Sequence, residues 1–439
     1  MDVKLLPKPN RENAKKLLIK CKKVCEMLKG IVGDLPTFSK TLKKFHPELL
    51  SVLHYYCLEC DQKINDANKK DTDFYKLILR TLSSLFYEQF KGTVTLTYGD
   101  VAESHAGMQN IGTKASKGFS YEDILKAQRF FTEKGCETLI VHLNDFLPDV
   151  KDVADKEERA HLEIAKTSPE FQAYLLVVRG GLRGLVGDDK GVNLTTETQF
   201  FKWDTKLYNT RRKIVQNKNA RHNLNFSNEK QQSDFEKGKG TTVPWEEVPL
   251  IHNVRKELYN AFGESAKNLQ CEGNLYYEPD KSTGIGYHGD TERRKVIGVR
   301  LGKRMNIHYM WYYNDHPRAV NVSLILEPGD IYCMSEKTVG TDWRPCKAEG
   351  WLKKRYTLRH AAGAAMYTTN TPKIKVGNIR PTTLQQYKDI ISVGDIVEKE
   401  KKKKKEKKTK KEKKTKDDES HESDESDESH ESDESDKEI

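Results

Sequence analysis

Apolar and aromatic residues recur with a period near 3.6 over 11–31, 38–67 and 73–90, which predicts three helices and a helical region across 1–92. The pattern then changes to short alternating or apolar runs interleaved with amphipathic ones. Strands are expected at 93–98, 138–143, 171–179 and 200–208, and helices at 121–133 and 156–166. This alternation reads as an α/β domain over 93–226 whose function the pattern does not give. Residues 227–244, rich in Lys, Gln, Glu and Gly, read as a linker. Past a helix at 250–262 the chain becomes β-rich, with runs at 274–277, 284–290, 296–302, 306–313, 320–326 and 331–334. Turn residues such as Asn314-Asp315-His316-Pro317 and Glu327-Pro328-Gly329-Asp330 separate them. Short strands so spaced are the signature of an antiparallel barrel or jelly roll, assigned here to 245–385. The fold class expected is α+β and multidomain.

The remaining segment, 386–439, has no such pattern. Residues 398–416 are almost entirely Lys, Glu and Thr, and 417–438 repeat Asp, Glu, Ser and His. Neither half has an apolar face to bury, so a disordered tail is expected. Residues 398–439 hold 14 lysines against 17 acids, a net of −3, so the whole-chain +10 leaves +13 on residues 1–397. The basic excess belongs to the part expected to fold, which suits a polyanionic partner such as DNA or RNA. Arg211, Arg212, Lys213 and Arg221, with Lys218, Tyr208 and Phe226 close by, form the candidate nucleic-acid contact; a solvated basic loop is the plainer reading of the same residues. No apolar run approaches the ~20 residues of a membrane-spanning helix. The first residues show no apolar signal region, and the eight cysteines are scattered. An intracellular protein, cytoplasmic or nuclear, with reduced thiols is expected. Cys21, Cys25, Cys57 and Cys60 lie in helical patterns rather than glycine-flanked knuckles, so a zinc site is not expected. Asp100, Glu103 and Asp204 would make a second acidic site only if folding gathered them. No oligomeric state follows from the pattern.

Candidate chemistry centres on His288-Gly289-Asp290. An imidazole and a carboxylate two residues apart on an extended strand point the same way and can grip one metal ion. A second imidazole would complete the 2-His-1-carboxylate face used by non-haem Fe(II) oxygenases. His308, His316 and His360 are the histidines between Asp290 and the tail. His316 lies in a turn and His308 in a strand close behind, so His360, at the end of Tyr356-Thr357-Leu358-Arg359-His360, is taken as the third ligand. A core or surface histidine is the alternative for that residue.

Four motifs in order then carry a resemblance: Asn274-Leu275-Tyr276-Tyr277, Gly284 through Asp290, Val296 through Gly302, and Pro328-Gly329-Asp330-Ile331-Tyr332-Cys333-Met334. Together, between Trp245 and Arg380, they resemble the AlkB-like branch of the 2-oxoglutarate- and Fe(II)-dependent dioxygenases. The resemblance implies a double-stranded β-helix (a jelly roll), Fe(II) held by His288, Asp290 and His360, and 2-oxoglutarate and O2 as cosubstrates. It implies cosubstrate hydrogen bonds from Asn274 and Tyr276, and a carboxylate-binding arginine: Arg380 by spacing, with Arg359 and Arg355 in reserve. The family's distal histidine normally follows the Gly-Asp strand closely, near a tryptophan, whereas 335–343 contains Trp343 and no histidine. Either an insertion moves the distal strand to His360, or the third ligand is absent. The activity implied is hydroxylation of a C–H bond, which on an N-methyl group of nucleic acid becomes oxidative demethylation. Protein hydroxylation by the same chemistry, and a metal-free barrel that only binds nucleic acid, stay open. The segments Tyr98 to His105 and Trp203 to Lys213 resemble uncharacterised proteins of large DNA viruses, which adds no activity.

Overall fold

In the computed structural model the described residues are 87, 90–199, 201–279, 283–343, 355–363, 387 and 391–393. The three helices expected before residue 90 (Tyr87 and Phe90 aside), the cysteine pairs, Arg380 and the tail beyond residue 393 lie outside them. The start of the expected disordered tail is corrected, since Tyr387 is buried and accepts from the His142 amide at 3.3 Å and Ile391–Val393 form a strand. In chain order come β1 (Thr93–Gly99), β2 (Val101–Glu103), β3 (Asn110–Gly112), α1 (Tyr121–Glu133), β4 (Glu137–His142), α2 (Lys156–Thr167), β5 (Tyr174–Arg179), α3 (Gly181–Val186) and α4 (Val192–Thr198). Next are β6 (Lys206–Asn209), β7 (Ile214–Asn217), β8 (His222–Ser227), β9 (Thr242–Pro244) and α5 (Pro249–Phe262). The β-rich part follows as β10 (Gln270–Tyr276), β11 (Gly284–His288), β12 (Val296–Gly302), β13 (Met305–Tyr313), β14 (His316–Pro317), β15 (Val322–Leu326) and β16 (Ile331–Met334), then α6 (Glu336–Val339) and β17 (Tyr356–Gly363).

Local chemistry sets the helix ends. Ser120 opens α1 with a reciprocal capping box to Asp123, and Pro249 stands at the first turn of α5, where a missing N–H costs nothing. Ile124, Ala127 and Phe131 of α1 and Ile251, Val254, Leu258 and Phe262 of α5 then pack on one face of a sheet. Among the described residues that sheet has eight strands, in the order β4-β5-β16-β12-β1-β10-β8-β9. Alternation decides which residues meet the helices: Val94, Leu96 and Tyr98 of β1, Cys271 of β10 and Ile297, Val299 and Leu301 of β12 join the helix-side core. Thr93, Thr95, Glu272, Asn274, Tyr276, Arg300 and Tyr332 consequently occupy the opposite face, and they are buried too. The second sheet runs β11-β17-β13-β15, with β14 paired to β13. The molecule is a mixed α/β protein built on these sheets.

The domain boundaries expected from the sequence are corrected by the sheet pairings. Strands from 93–226 and from 270–334 share one sheet, with β1 hydrogen-bonded to β10 on one side and β12 on the other. The expected linker contributes β9, which pairs in parallel with β8 and carries the buried Thr242 and Val243. Periodicity reports that a strand has a buried face but not whose edge it pairs with, and adjacency along the chain is only a tendency. Here the edges of β10 and β12 are bridged by a strand from far upstream. No helix among the described residues is long and apolar enough to cross a membrane.

Candidate metal centre

β11 ends at His288 after a register shift between Ile285 and His288, and His288 lies opposite His360 of β17. Gly289 then lets the backbone fold onto the turn after α6: a Cβ there would stand 1.9 Å from the Gly340 carbonyl oxygen and 2.6 Å from Cδ1 of Trp343. The Asp290 amide donates to the Val339 carbonyl at 3.1 Å, which fixes the carboxylate between the two imidazoles. Asp290 Oδ1 lies 3.4 Å from His288 Nε2 and 3.6 Å from His360 Nε2. One donor atom from each of the three residues falls within 4.8 Å of the others. His288 Nδ1 is 2.8 Å from the Gly286 carbonyl oxygen, so it carries the proton and leaves the Nε2 lone pair facing inward. Burial holds His360 neutral, lowering its pKa to about 3, with the neighbouring His288 acting in the same direction. Burial would raise the Asp290 carboxyl, but the Arg293 guanidinium outweighs it and holds the carboxyl below its ordinary range. Two imidazoles and one carboxylate are a donor set that can hold a divalent metal.

Behind the triad lies a buried polar network. Arg293 Nε donates to Glu292 at 2.9 Å and lies 3.5 Å from Asp290 Oδ2, while its Nη2 donates to Glu272 at 2.5 Å. One guanidinium thus faces three carboxylates, an imbalance that a cation at the triad would reduce. Asn223 Nδ2 bridges Glu272 Oε1 (3.3 Å) and Asn274 Oδ1 (2.7 Å), and Arg221 Nε donates to the same Asn274 oxygen at 2.5 Å. Buried Lys218 donates to Asn223 Oδ1 and to the Ser104 carbonyl.

Of the residues singled out from the sequence, His288, Asp290 and His360 come together. His308 and His316 do not: His308 alternates with Tyr309 onto the other face of β13, where burial lowers its pKa to about 4, and His316 is exposed. Asn274 and Tyr276 lie on the inner face of β10, close to Arg221 and Arg300. The reserve arginines are otherwise engaged. Arg359 points to the face of β17 opposite His360, pairs with Asp315 and stacks over Tyr312 and Trp343; Arg355 lies against Asp342. Arg211, Arg212 and Lys213 form the exposed tip of the β6–β7 hairpin, where Asn209 accepts from the Arg211 and Arg212 amides and Lys213 adopts φ +55°. Arg221 departs from that group, being half-buried against Asn274. Asp100, Glu103 and Asp204 do not gather: Asp100 accepts from the Ala115, Arg294 and Lys295 amides, Glu103 from the Gly107 amide, and Asp204 from Thr241. Sequence reasoning passed over Arg293, Glu272 and Arg300. Glu272 was within reach, since Glu272, Asn274 and Tyr276 share a period of two, and Arg293 follows Asp290 by three.

No protein-family model matches the chain, and no solved structure matches it. An uncharacterized protein of Acanthamoeba polyphaga mimivirus is 36% identical over 275 residues, covering 63% of this chain and 97% of the relative. At that identity, over nearly the whole of the viral protein, the chain belongs to the family of this uncharacterized mimivirus protein.

Proposed function

We propose that the chain is an Fe(II)- and 2-oxoglutarate-dependent oxygenase of the AlkB-like type, built on a double-stranded β-helix, that hydroxylates a C–H bond on nucleic acid and removes N-methyl groups by that route. The observation that carries the reading is the meeting of His288, Asp290 and His360 across the β11–β17 pair. The donor set fits Fe(II), since it is one carboxylate and two imidazoles of which His288 presents Nε2 and His360 is neutral. When bound, the metal and 2-oxoglutarate would supply the oxidising power for the C–H bond. The chain's own residues do the rest. Arg293 and the Val339 carbonyl orient Asp290, and the Gly286 carbonyl fixes the His288 tautomer. Asn274 and Tyr276 line the inner face of the sheet, where they would position the cosubstrate. Buried Tyr309, whose ring centroid is 6.3 Å from that of His360, helps keep water from the centre. Nucleic acid is favoured over a protein substrate by the exposed basic tip at Arg211, Arg212 and Lys213.

The test is succinate formation from 2-oxoglutarate by anaerobically purified protein given Fe(II) and then oxygen, with His360→Ala alongside. Iron-dependent succinate in wild type, lost in the variant, is expected. A wild-type protein that takes up no iron and forms no succinate would instead be a binding protein, and the β6–β7 hairpin would be the surface to examine.

A further inference from the structure

β1 changes what the inner face of the large sheet contains. In register, Asn223, Asn274, Thr95 and Arg300 form one row across β8, β10, β1 and β12. All four are buried, on the face that also bears Glu272, whose partner Arg293 reaches Asp290. Arg300 is 1% exposed. Its Nη1 donates to Thr95 Oγ1 at 2.6 Å, while its Nε has no hydrogen-bond partner. Asp330, the acid in its surroundings, is already held by Arg179 at 2.5 Å and by the Gly180 and Glu327 amides. Among the described residues no carboxylate pairs with Arg300. A guanidinium taken out of water without a counter-charge is costly, so this arrangement favours an anion brought from outside. On the same buried face lie Tyr276, two residues beyond Asn274 on β10, and Tyr332, which stands opposite Gly298 of β12. Tyr332 lies over Gly298, where a Cβ would come within 2.1 Å of the ring and so displace it.

Resting on the oxygenase reading, we infer that Arg300, set by Thr95 of β1, is the anchor for the far carboxylate of a 2-oxo dicarboxylic acid whose other end reaches the metal. The planar fork of arginine suits a carboxylate, and the anchor comes from β12 rather than from an arginine that follows β17.

The test uses the full chain, loaded anaerobically with Fe(II), and follows binding of 2-oxoglutarate and of 2-oxobutanoate, which lacks the far carboxylate. The readouts are the visible charge-transfer band and the shift in melting temperature. Arg300→Met is expected to weaken 2-oxoglutarate binding on the order of 10- to 100-fold, as loss of charge-assisted hydrogen bonds does, with Fe(II) affinity unchanged. Arg300→Lys should retain part of the affinity. Wild type should prefer 2-oxoglutarate to 2-oxobutanoate, and Arg300→Met should bind the two alike, a loss of discrimination that general loosening of the fold does not produce. An Arg300→Met protein that keeps the wild-type preference overturns the inference and leaves the oxygenase reading standing. Loss of preference in Arg380→Met or Arg221→Met instead would name the true anchor. A wild-type protein that binds Fe(II) but neither acid removes the reading and the inference together.

Discussion

Gly289 stands between His288, at the end of β11, and Asp290, and its role is steric: the Gly340 carbonyl occupies the place of its missing Cβ. Gly289→Ala is therefore expected to push the Asp290 strand end off the turn after α6, costing about 1–3 kcal/mol of stability and most of the metal affinity. Thermal melts together with Fe(II) or Mn(II) titration measure both, and wild-type behaviour in the two would refute the steric account. Arg293 acts through charge. Its side chain is 6% exposed and holds Asp290 and Glu272 apart from each other's repulsion. Arg293→Met leaves buried carboxylates without their cation and should cost on the order of 3–5 kcal/mol. Metal should restore part of that loss, because a divalent ion at the triad replaces the missing charge beside Asp290; a variant that saturating metal does not stabilise would argue against that coupling. Neither residue is conspicuous in the sequence, where Gly289 looks like any glycine and Arg293 like one of many surface cations.

At the scale of elements, periodicity served the helices well. The helix expected at 121–133 is the observed Tyr121–Glu133, and strand 296–302 is the observed Val296–Gly302. The HxD spacing was legible for the same reason, since alternation on a strand is local. Pairing is not local. The opposition of His288 and His360 depends on β17 lying beside β11, which spacing along the chain cannot state, and the bridging position of β1 was invisible. The basic stretch shows the limit sharply. Arg211 and Arg221 look equivalent in sequence, yet one caps an exposed hairpin and the other is drawn inward by Asn274 just before β8 enters the sheet. A hairpin that neutralises phosphates should govern salt dependence. Replacing Arg211, Arg212 and Lys213 together by Ser is expected to weaken binding to single-stranded DNA or RNA uniformly across sequences. The slope of log K against log salt should fall by about 2, at ~0.7 per phosphate contact. An unchanged slope would move the contact elsewhere on the protein.

Among the described residues the large sheet draws its strands from segments far apart along the chain, and this bears directly on how the protein can be divided. A fragment of residues 245–393 contains every triad residue and all of the motifs that carry the family resemblance, so it looks like a self-sufficient catalytic domain. It lacks β1, and with it the strand that satisfies the facing edges of β10 and β12. It also lacks Val94, Leu96 and Tyr98, each fully buried in the helix-side core. Losing those three side chains alone forfeits roughly 5–9 kcal/mol at 1.5–3 kcal/mol each, most of the ~5–15 kcal/mol that holds a domain together. The exposed edges of β10 and β12 would then be templates for pairing with other chains. Residues 245–393 are therefore expected to be insoluble or to unfold without a cooperative transition, whereas residues 91–393 should melt cooperatively and bind metal. Urea unfolding followed by near-ultraviolet circular dichroism distinguishes the two. A cooperative 245–393 fragment that binds Fe(II) through His288, Asp290 and His360 would show that β1 is an addition to a complete barrel rather than one of its walls. Arg300 would then face a different neighbour from Thr95, and the anchor assigned to it would have to be sought again.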